Sequence, residues 1–385
     1  MVKIIDIKCY LVHARWRKNL LFIKVETDEG ISGWGESYTQ YDRDQTFASH
    51  VEELKRYLVG RNPFRIKEFT QIAFDEYAQR RGSLEFYSAL SGIEQAMWDV
   101  VGKITGQPVY NLLGGACREK IRIYANGWSY GLSSPSDFAR AAEKVVAQGF
   151  TALKFDPMPK PWRTFVPKEH IESAASILKE IRSAVGKDVD LLIDNHRRLA
   201  PMHAVELADR YREHGIFWFE EPCPPHNIEA MKEVRAKVNV PLVVGEAVYT
   251  KSEFRPLLEA RVADILNPDV ANVGGVLELK EISAMAEPHF VAIAPHNYNS
   301  TTLALAATVQ AAATMPNFLI TEYFLPFEQL GRDLTTESLT VENGYIVLPE
   351  KPGLGISMNE EKILEYGYRQ YPLRTLSNVY EKIPA

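Results

Sequence analysis

Six acidic or histidine side chains stand just after short apolar runs in the later part of this sequence. Asp194 closes Leu-Leu-Ile-Asp, Glu220 closes Phe-Trp-Phe-Glu and Glu246 closes Val-Val-Gly-Glu, while Asp269 follows Ile-Leu-Asn-Pro, His296 follows Ile-Ala-Pro and Glu322 follows Leu-Ile-Thr. Successive members lie 26, 26, 23, 27 and 26 residues apart. A single carboxylate at a strand end is commonly a helix cap or a solvated loop residue, because acidic groups favour helix N-termini. Capping does not require the same offset from strand after strand, so six residues in phase point to chemistry. Asp194, Glu220 and Glu246 come from three consecutive runs, and three carboxylates drawn to one point repel unless a cation joins them. Oxygen donors without cysteine suit a hard divalent ion, which points to Mg²⁺.

The elements that carry these residues follow from the same spacing, which is one strand plus one helix each time. Apolar runs at Ile121–Ala125, Thr151–Phe155, Val189–Ile193, Ile216–Phe219, Pro241–Val244, Ala263–Leu266, Phe290–Ala294 and Phe318–Ile320 are separated, in most cases, by amphipathic helical patterns. Parallel strands buried on both faces need continuous apolar sequence and a crossover connection, so eight such runs predict a parallel α/β barrel. All six polar residues then converge on its C-terminal rim, where barrel active sites lie. The longest unpatterned stretch, Pro157 to Lys168, follows the second run and is a candidate specificity loop.

The first 115 or so residues read differently. Ile4–Val12, Leu20–Glu26 and Ile31–Glu36 are strands around an Asp28-Glu29-Gly30 turn. A helical pattern then runs from about Thr46 to Lys103, with Ala89, Ile93, Met97, Val100 and Ile104 forming an apolar stripe. Strands followed by helices make an α+β unit. After Asn343-Gly344 a short strand at Tyr345–Leu348 and an irregular loop through Lys351 to Gly355 suggest a tail that returns to this unit. The division expected is residues 1–115 joined by 345–385, and a barrel at 116–344.

Composition narrows the partners. With 385 residues, 46% apolar and 24% charged, the chain has the mixture of a globular protein of two or three domains. A net charge of −6 without a Lys/Arg-rich run argues against nucleic acid and leaves a small molecule as the expected partner. Cys9, Cys117 and Cys223 lie far apart, without disulfide or zinc spacing. The first residues, MVKIIDIKCYLVHARWRKN, lack a signal peptide's apolar run, and no stretch approaches the roughly 18 apolar residues that cross a bilayer. A cytoplasmic protein without membrane contact is expected.

Taken in order, Lys154-x-Asp156, Asp194-x-His196, Phe219-Glu220-Glu221-Pro222, Gly245-Glu246, Asp269 and His296 resemble the enolase superfamily, mandelate racemase subgroup. Gly33-Trp34-Gly35-Glu36, Trp98-Asp99, Leu112-Leu113-Gly114-Gly115 and Pro352-Gly353-Leu354-Gly355 extend the resemblance over essentially the whole chain. It implies a modified TIM-type barrel, (β/α)7β, with an α+β capping domain, assembled as a homo-oligomer. It also implies Mg²⁺ on Asp194, Glu220 and Glu246, chelating a substrate carboxylate and stabilising the enediolate more than the ground state. Glu221 stays outside this set, since adjacent strand residues point to opposite sides. By the same resemblance Asp269 orients His296, which takes the α-proton, and Glu322 meets the substrate carboxylate in a protonated form whose pKa burial has raised.

The second and third barrel strands choose between reactions. Racemases and lactonising members carry Lys-x-Lys where this chain has Lys154-Phe155-Asp156. Lys154 can still neutralise the substrate carboxylate, but Asp156 is a poor base for so weak an acid, which disfavours two-base racemisation. His196 lies two residues after Asp194 and, by strand alternation, on the same side. An Asp-x-His here resembles the acid-sugar dehydratases, notably gluconate and galactonate dehydratases, in which it would protonate the departing β-hydroxyl. Tyr124 to Trp128, Ala152 to Pro157 and His196-Arg197-Arg198 are especially similar to gluconate dehydratases, which makes Asn126, Asp156 and Arg198 candidate substrate contacts. Beyond Pro157 the similarity weakens, and Ala247 stands where galactonate-type enzymes tend to have Arg. Basic residues at His13, Arg15, Arg17, Lys18, Arg80 and Arg81 mark two cap loops suited to an acidic or polyhydroxylated distal end. The expected reaction is dehydration of a sugar acid to its 2-keto-3-deoxy acid. The alternatives are an epimerase, racemase or sugar-lactone cycloisomerase, a catalytically silent metal-binding protein, and a zinc hydrolase, for which the usual His-x-His is absent.

Overall fold

In the computed structural model, which describes residues 1–16, 18–40, 43–159 and 164–371, the chain opens with three antiparallel strands. These are β1 (Ile4–His13), β2 (Asn19–Thr27) and β3 (Ser32–Ser37), followed by helices α1 (Asp44–Leu58), α2 (Ile66–Ile72), α3 (Leu84–Thr105) and the single turn α4 (Val109–Leu112). Helix α3 starts at Ser83, whose side chain accepts the Phe86 N–H, and stops at Gly106 in a left-handed conformation. The expected stripe is buried at Ala89, Ile93, Met97 and Val100 against β2 and β3, each apolar side chain contributing roughly 1.5–3 kcal/mol where large. Gly33 and Gly35 explain themselves here. A Cβ on Gly33 would stand 2.2 Å from the Ala96 carbonyl oxygen, and one on Gly35 2.0 Å from that of Gly92, so only bare backbone lets β3 lie directly on α3.

The barrel follows. Its strands are β4 (Lys120–Asn126), β5 (Ala152–Phe155), β6 (Asp190–Asp194), β7 (Trp218–Glu220), β8 (Leu242–Val244), β9 (Ile265–Leu266), β10 (Ala292–Ile293) and β11 (Thr321–Phe324). The crossovers between them are α5 (Pro135–Ala147), α6 (Lys168–Val185), α7 (Pro201–Arg212), α8 (Ile228–Arg235), α9 (Thr250–Ala260), α10 (Val276–Ala286) and α11 (Thr302–Ala312). Strands β4 to β10 pair in parallel in chain order, and β11 closes the ring on β4. With a helix in each of the seven intervals between the eight strands, this is the expected (β/α)7β form. Tyr124, Ala152, Leu192, Trp218, Val243, Ile265, Ala294 and Ile320, one from each strand or its flank, fill the interior. Tyr124 and Trp218 meet edge to face with ring centres 5.5 Å apart, and the small Ala152 and Ala294 leave them room.

Two expectations need correction. The eighth strand does not run over Phe318–Ile320: Phe318 makes only a bridge to Ile293, and the ladder with β4 occupies Thr321 to Phe324. Glu322 therefore sits within a strand, not after one. The apolar run precedes the strand because the segment first leans on β10, where Leu319 N donates to the Ile293 carbonyl at 2.8 Å, before crossing to β4. The tail also turns back later than residue 345. After α12 (Glu328–Leu334), β12 (Val341–Glu342) and β13 (Tyr345–Val347) form a hairpin, and β13 pairs antiparallel with the first residues of β4. Only from Gly353, which bridges Pro108, does the chain join the N-terminal unit. Leu354 N donates to Asp99 at 2.9 Å, and Glu360, the first residue of α13 (Glu360–Tyr366), takes Lys24 Nζ at 2.7 Å. Residues 372–385 of the expected tail lie outside the described residues.

The N-terminal unit holds the barrel through backbone groups. Glu94 of α3 accepts the N–H groups of Val276 at 2.7 Å and Leu277 at 2.9 Å, so it caps α10 from another domain. Ser91 Oγ accepts Gly274 N at 2.8 Å. Gln95 binds Glu36 N and O and donates to the Val270 carbonyl at 3.2 Å. The Glu36 carboxylate caps α11, taking the N–H groups of Thr301 and Ala304, each at 3.1 Å, and the Thr301 hydroxyl at 2.6 Å. Burial pushes both Glu36 and Glu94 up to about 7 despite these donors. Among the described residues, no helix is long and apolar enough to cross a membrane.

Replacing Gly35 with Ala must part β3 from α3. Overpacking of this kind typically costs about 1–3 kcal/mol, so Gly35→Ala should lower the urea midpoint with little change in slope. An unshifted midpoint would show that the strand does not rest on the helix.

Candidate active site

Strand ends bring the acidic residues together. Asp194 and Glu220 are neighbours in the β6–β7 register, and Glu246 stands two residues past β8. One oxygen from each lies within 4.8 Å of the others, and among the described residues this is the group of three that could hold a metal ion. The set is made wholly of carboxylates, a donor chemistry that fits a hard divalent cation. Burial, reinforced by Asp194 and Glu246, pushes Glu220 up to about 8 although Lys154 opposes it. Glu246 goes the other way. Burial would raise it, but Arg197 and His296 hold it well below the usual carboxylate range.

Lys154, on β5, is buried with its Nζ 2.9 Å from Glu220, 3.5 Å from Asp194 and 3.7 Å from Glu322. Glu220 also accepts from Asn267 Nδ2 at 2.8 Å and Trp218 Nε1 at 3.1 Å. Thus one face of the cluster is neutralised and hydrogen-bonded from inside the barrel. Glu221 turns away as expected: in a left-handed conformation (φ 46°) it accepts Gly245 N at 2.8 Å and Arg197 Nη1 at 3.2 Å.

Asp269 and His296 bridge as neighbouring strands do, and His296 Nδ1 lies 2.6 Å from Asp269 Oδ2. The other Asp269 oxygen accepts Ala271 N at 2.8 Å, which leaves the carboxylate fully engaged. His296 Nε2 consequently faces the cluster, 2.9 Å from Glu246 and 3.7 Å from Glu322. Burial alone would lower the imidazole's pKa, but Glu246, Glu322 and Asp269 raise it well above its ordinary value. Tyr298 lies beside the ring, at 6.2 Å between centres.

Glu322 departs from expectation. Burial does act to raise its pKa, but Lys154 and His296 outweigh burial and hold it below the ordinary value, helped by Asn126 Nδ2 and by Asn297 N at 3.0 Å. These neighbours draw the carboxyl's pKa downward, opposite to the rise that burial alone would give. Asn126 accordingly bonds Glu322 before any substrate arrives.

His196 also arrives by a different route than strand alternation. Strand β6 ends at Asp194, and His196 and Arg197 take left-handed conformations (φ 52° and 63°), a strain of about 1–3 kcal/mol each that active-site turns often carry. The turn is tied by His196 N donating to Asp194 Oδ1 at 3.0 Å, and the ring's Nε2 stands 3.6 Å from Asp194 Oδ2. Its Nδ1 edge meets Asp156 Oδ2 at 3.3 Å, and Asp156 Oδ1 accepts Arg198 Nη2 at 2.8 Å.

Sequence reasoning missed Arg197, which pairs with both Glu246 and Glu221, and Asn267, whose place just after β9 is in phase with the other strand-end residues. In the cap loops several of the basic residues have partners within the protein. Lys18 is 3% exposed, its Nζ donating to Thr39 O at 3.2 Å and lying over the Tyr38 ring. Burial pushes it down to about 8 against the pull of Glu36 and Asp269. Arg15 lies over Tyr366, and Arg80 pairs with Asp75, while Arg17 falls outside the described residues. What the first loop does bring to the rim is Trp16, in edge contact with Tyr130 and Phe327 and tilted against Phe324, which packs on Tyr298. The second-strand loop is described only in part, residues 160–163 lying outside.

Comparison with known proteins agrees with this architecture. Residues 9–114 match the family model described as mandelate racemase / muconate lactonizing enzyme, N-terminal domain, and residues 137–362 match enolase C-terminal domain-like. The chain is 34% identical to a D-galactonate dehydratase of Verminephrobacter eiseniae over 94% of each chain. It is 33% identical to a D-gluconate dehydratase of Thermoproteus tenax, over 92% of this chain and 71% of the relative. A D-xylonate dehydratase of Haloferax volcanii is 33% identical over 89% of this chain and 84% of its own. Among solved structures, a mandelate racemase/muconate lactonizing enzyme from a Sulfitobacter species superposes with a TM-score of 0.89 at 33% identity, covering 96% of each chain. Both halves of the fold, and the rim residues they position, thus place the chain in the mandelate racemase/muconate lactonizing enzyme family of the enolase superfamily.

Proposed function

We propose that this enzyme is a Mg²⁺-dependent hydro-lyase that dehydrates an acid sugar of the gluconate, galactonate or xylonate kind to a 2-keto-3-deoxy acid. The observation that carries the reading is the pair of histidines. His196 follows β6 and His296 follows β10, four strands apart in a ring of eight, and each aims Nε2 at the carboxylate cluster from its own side. One proton leaves the α-carbon and one joins the β-oxygen, and two imidazoles across one pocket suit those two transfers.

Asp194, Glu220 and Glu246 would hold the Mg²⁺, which when bound supplies positive charge to a substrate carboxylate whose charge grows as the α-proton departs. Asp269 holds the Nδ1–H of His296, so Nε2 takes the proton. Lys154 sets a second positive charge beside the substrate carboxylate, and Glu322, fixed by Asn126, borders the same place. His196 Nε2 donates to the β-hydroxyl oxygen as the C–O bond breaks, its electron pair leaving with water, and the enol left behind tautomerises to the ketone. Asp156 beside Arg198 in place of a second lysine supports elimination over two-base racemisation. A panel of aldonic and aldaric acids, including D-gluconate, D-galactonate and D-xylonate, assayed for 2-keto product with semicarbazide, tests the reading. Epimerised or ring-opened product without loss of water would replace it with an epimerase or cycloisomerase.

Three substitutions probe the parts. Glu220→Gln, at the C-terminal end of β7 and close in volume to the residue it replaces, should weaken Mg²⁺ binding and abolish turnover with the far-UV spectrum retained; full wild-type activity in EDTA would refute a metal role. His296→Asn keeps a polar side chain of similar reach but removes the base, so α-proton exchange with D₂O should vanish along with turnover, and exchange at the wild-type rate would move the base elsewhere. His196→Asn should slow dehydration by about 10²- to 10⁴-fold, the usual worth of general acid assistance. With β-fluoride as leaving group its defect should be much smaller, and equal loss of the fluoride and hydroxyl reactions would mark His196 as a base or a substrate-positioning group.

A further inference from the structure

We propose that Asp156 is a positioning residue that holds the ring of His196 toward the β-carbon, that Arg198 in turn holds Asp156, and that neither side chain contacts the substrate. This rests on the dehydratase reading and deepens it.

Asp156 stands one residue past β5, beside the end of β6. Both of its oxygens are occupied. Oδ1 accepts Arg198 Nη2 at 2.8 Å and Met158 N at 3.0 Å, and Oδ2 faces His196 Nδ1 at 3.3 Å. Its side chain is 16% exposed and that of Arg198 9%. Arg198 is anchored in its own turn, since Nη1 donates to the Asn195 carbonyl at 2.8 Å, and the same nitrogen lies 3.3 Å from His196 Nδ1. The Nδ1 edge therefore has an acceptor, Asp156, and a donor, Arg198, and is satisfied whether or not it carries hydrogen. Held along that edge, and by its own N–H to Asp194, the ring presents Nε2 to the cluster.

The arrangement repeats that of His296 on the far side of the barrel, where Asp269 takes Nδ1 and Nε2 faces inward. The two supporting carboxylates come from strands next to those that carry their histidines, β5 beside β6 and β9 beside β10. A carboxylate used to bind substrate hydroxyls would keep an oxygen toward the pocket. Asp156 instead spends its acceptors on a guanidinium, a backbone N–H and an imidazole. The lysine of the racemases is thus replaced by a group that serves the next strand's histidine.

The test uses the Mg²⁺-loaded enzyme with whichever of D-gluconate, D-galactonate or D-xylonate it turns over, and the corresponding 3-deoxy-3-fluoro acid. Loss of an orienting partner typically lowers activity about 10- to 100-fold. Asp156→Asn should lower kcat for dehydration by that factor while KM stays within about threefold, since substrate binding is untouched. Deuterium exchange at the α-carbon and loss of fluoride should stay near wild type. In the His196→Asn background the same change should have no further effect, because groups that act as a unit are not additive. A fall that multiplies in the double variant, or a raised KM at unchanged kcat, would overturn the proposal and return Asp156 to the substrate. If His196→Asn alone left dehydration intact, the acid role of His196, and with it this proposal, would fall; if none of the three acids gave a 2-keto product, the dehydratase reading itself would fail, independently of anything seen at Asp156. Should Asp156→Asn not fold, Asp156→Ser, which still accepts the Met158 N–H, is read by the same comparisons.

Discussion

Crowding of carboxylates at one end of the barrel is the constraint on which the remainder of the structure turns. Asp194, Glu220, Glu246, Asp269 and Glu322 are all nearly or wholly withdrawn from water, and Glu221 is buried behind them. Two like charges 4 Å apart repel by about 4 kcal/mol at an effective dielectric of about 20. Several such pairs would exceed the stability of an ordinary domain unless opposite charge were built in. The chain supplies it from different directions: Lys154 from within the barrel, Arg197 from the β6 turn, and the two histidines from opposite sides of the ring. Uncharged donors complete the shell, among them Asn267, Trp218, Asn126 and Tyr124, the last 3.3 Å from Glu322. Within this shell one oxygen each of Asp194, Glu220 and Glu246 converges on a single point.

That convergence was legible in the sequence because a barrel repeats its length. An offset counted from each apolar run to the next polar residue survives small errors in strand bounds, so the three oxygen donors, and Asp269 and His296 beside them, stand out without knowledge of where any strand ends, while the pairing of the last two as a dyad comes from the family resemblance. Arguments that depended on local geometry fared less well. His196 lies on the side of Asp194, as strand alternation suggests, but β6 has already ended and two left-handed residues set its direction. For Glu322 the resemblance implies a protonated form that needs burial to raise its pKa, whereas Lys154 and His296, which lie far from it in the chain, pull the pKa down. Lys18 reads in the sequence as one of several cations in a cap loop suited to an acidic distal end. Its partner, the Thr39 carbonyl, and the Tyr38 ring below it become visible only when β2 and β3 are laid side by side.

The same holds for the glycines before Glu36. Gly33-Trp34-Gly35-Glu36 carries the family resemblance, but its physical sense is contact with α3, which no pattern within the first strands reveals. Once β3 lies on that helix, Glu36 projects to the start of α11, just beyond the loop that bears His296, and Tyr38 N donates at 3.0 Å to Ala271, whose own N–H holds Asp269. The end of β3 and the residues just after it thus fix the backbone that follows each member of the dyad.

The contacts from α3 to the barrel have a geometric corollary. Ser91, Glu94 and Gln95 occupy positions i, i+3 and i+4, a single patch of helix surface, while Gly92 and Ala96 on the adjoining patch receive β3. Each residue of an α-helix is rotated by about 100° from the last. Inserting or deleting one residue at the start of α3 could be absorbed by its cap, but a change of phase between positions 91 and 96 would swing one patch or the other out of register. A shift of phase across this turn therefore breaks the contacts of α3 with Val270, Gly274 and Val276 in the barrel as well as its contact with β3, although more than 170 residues of chain lie between Ser91 and Val270.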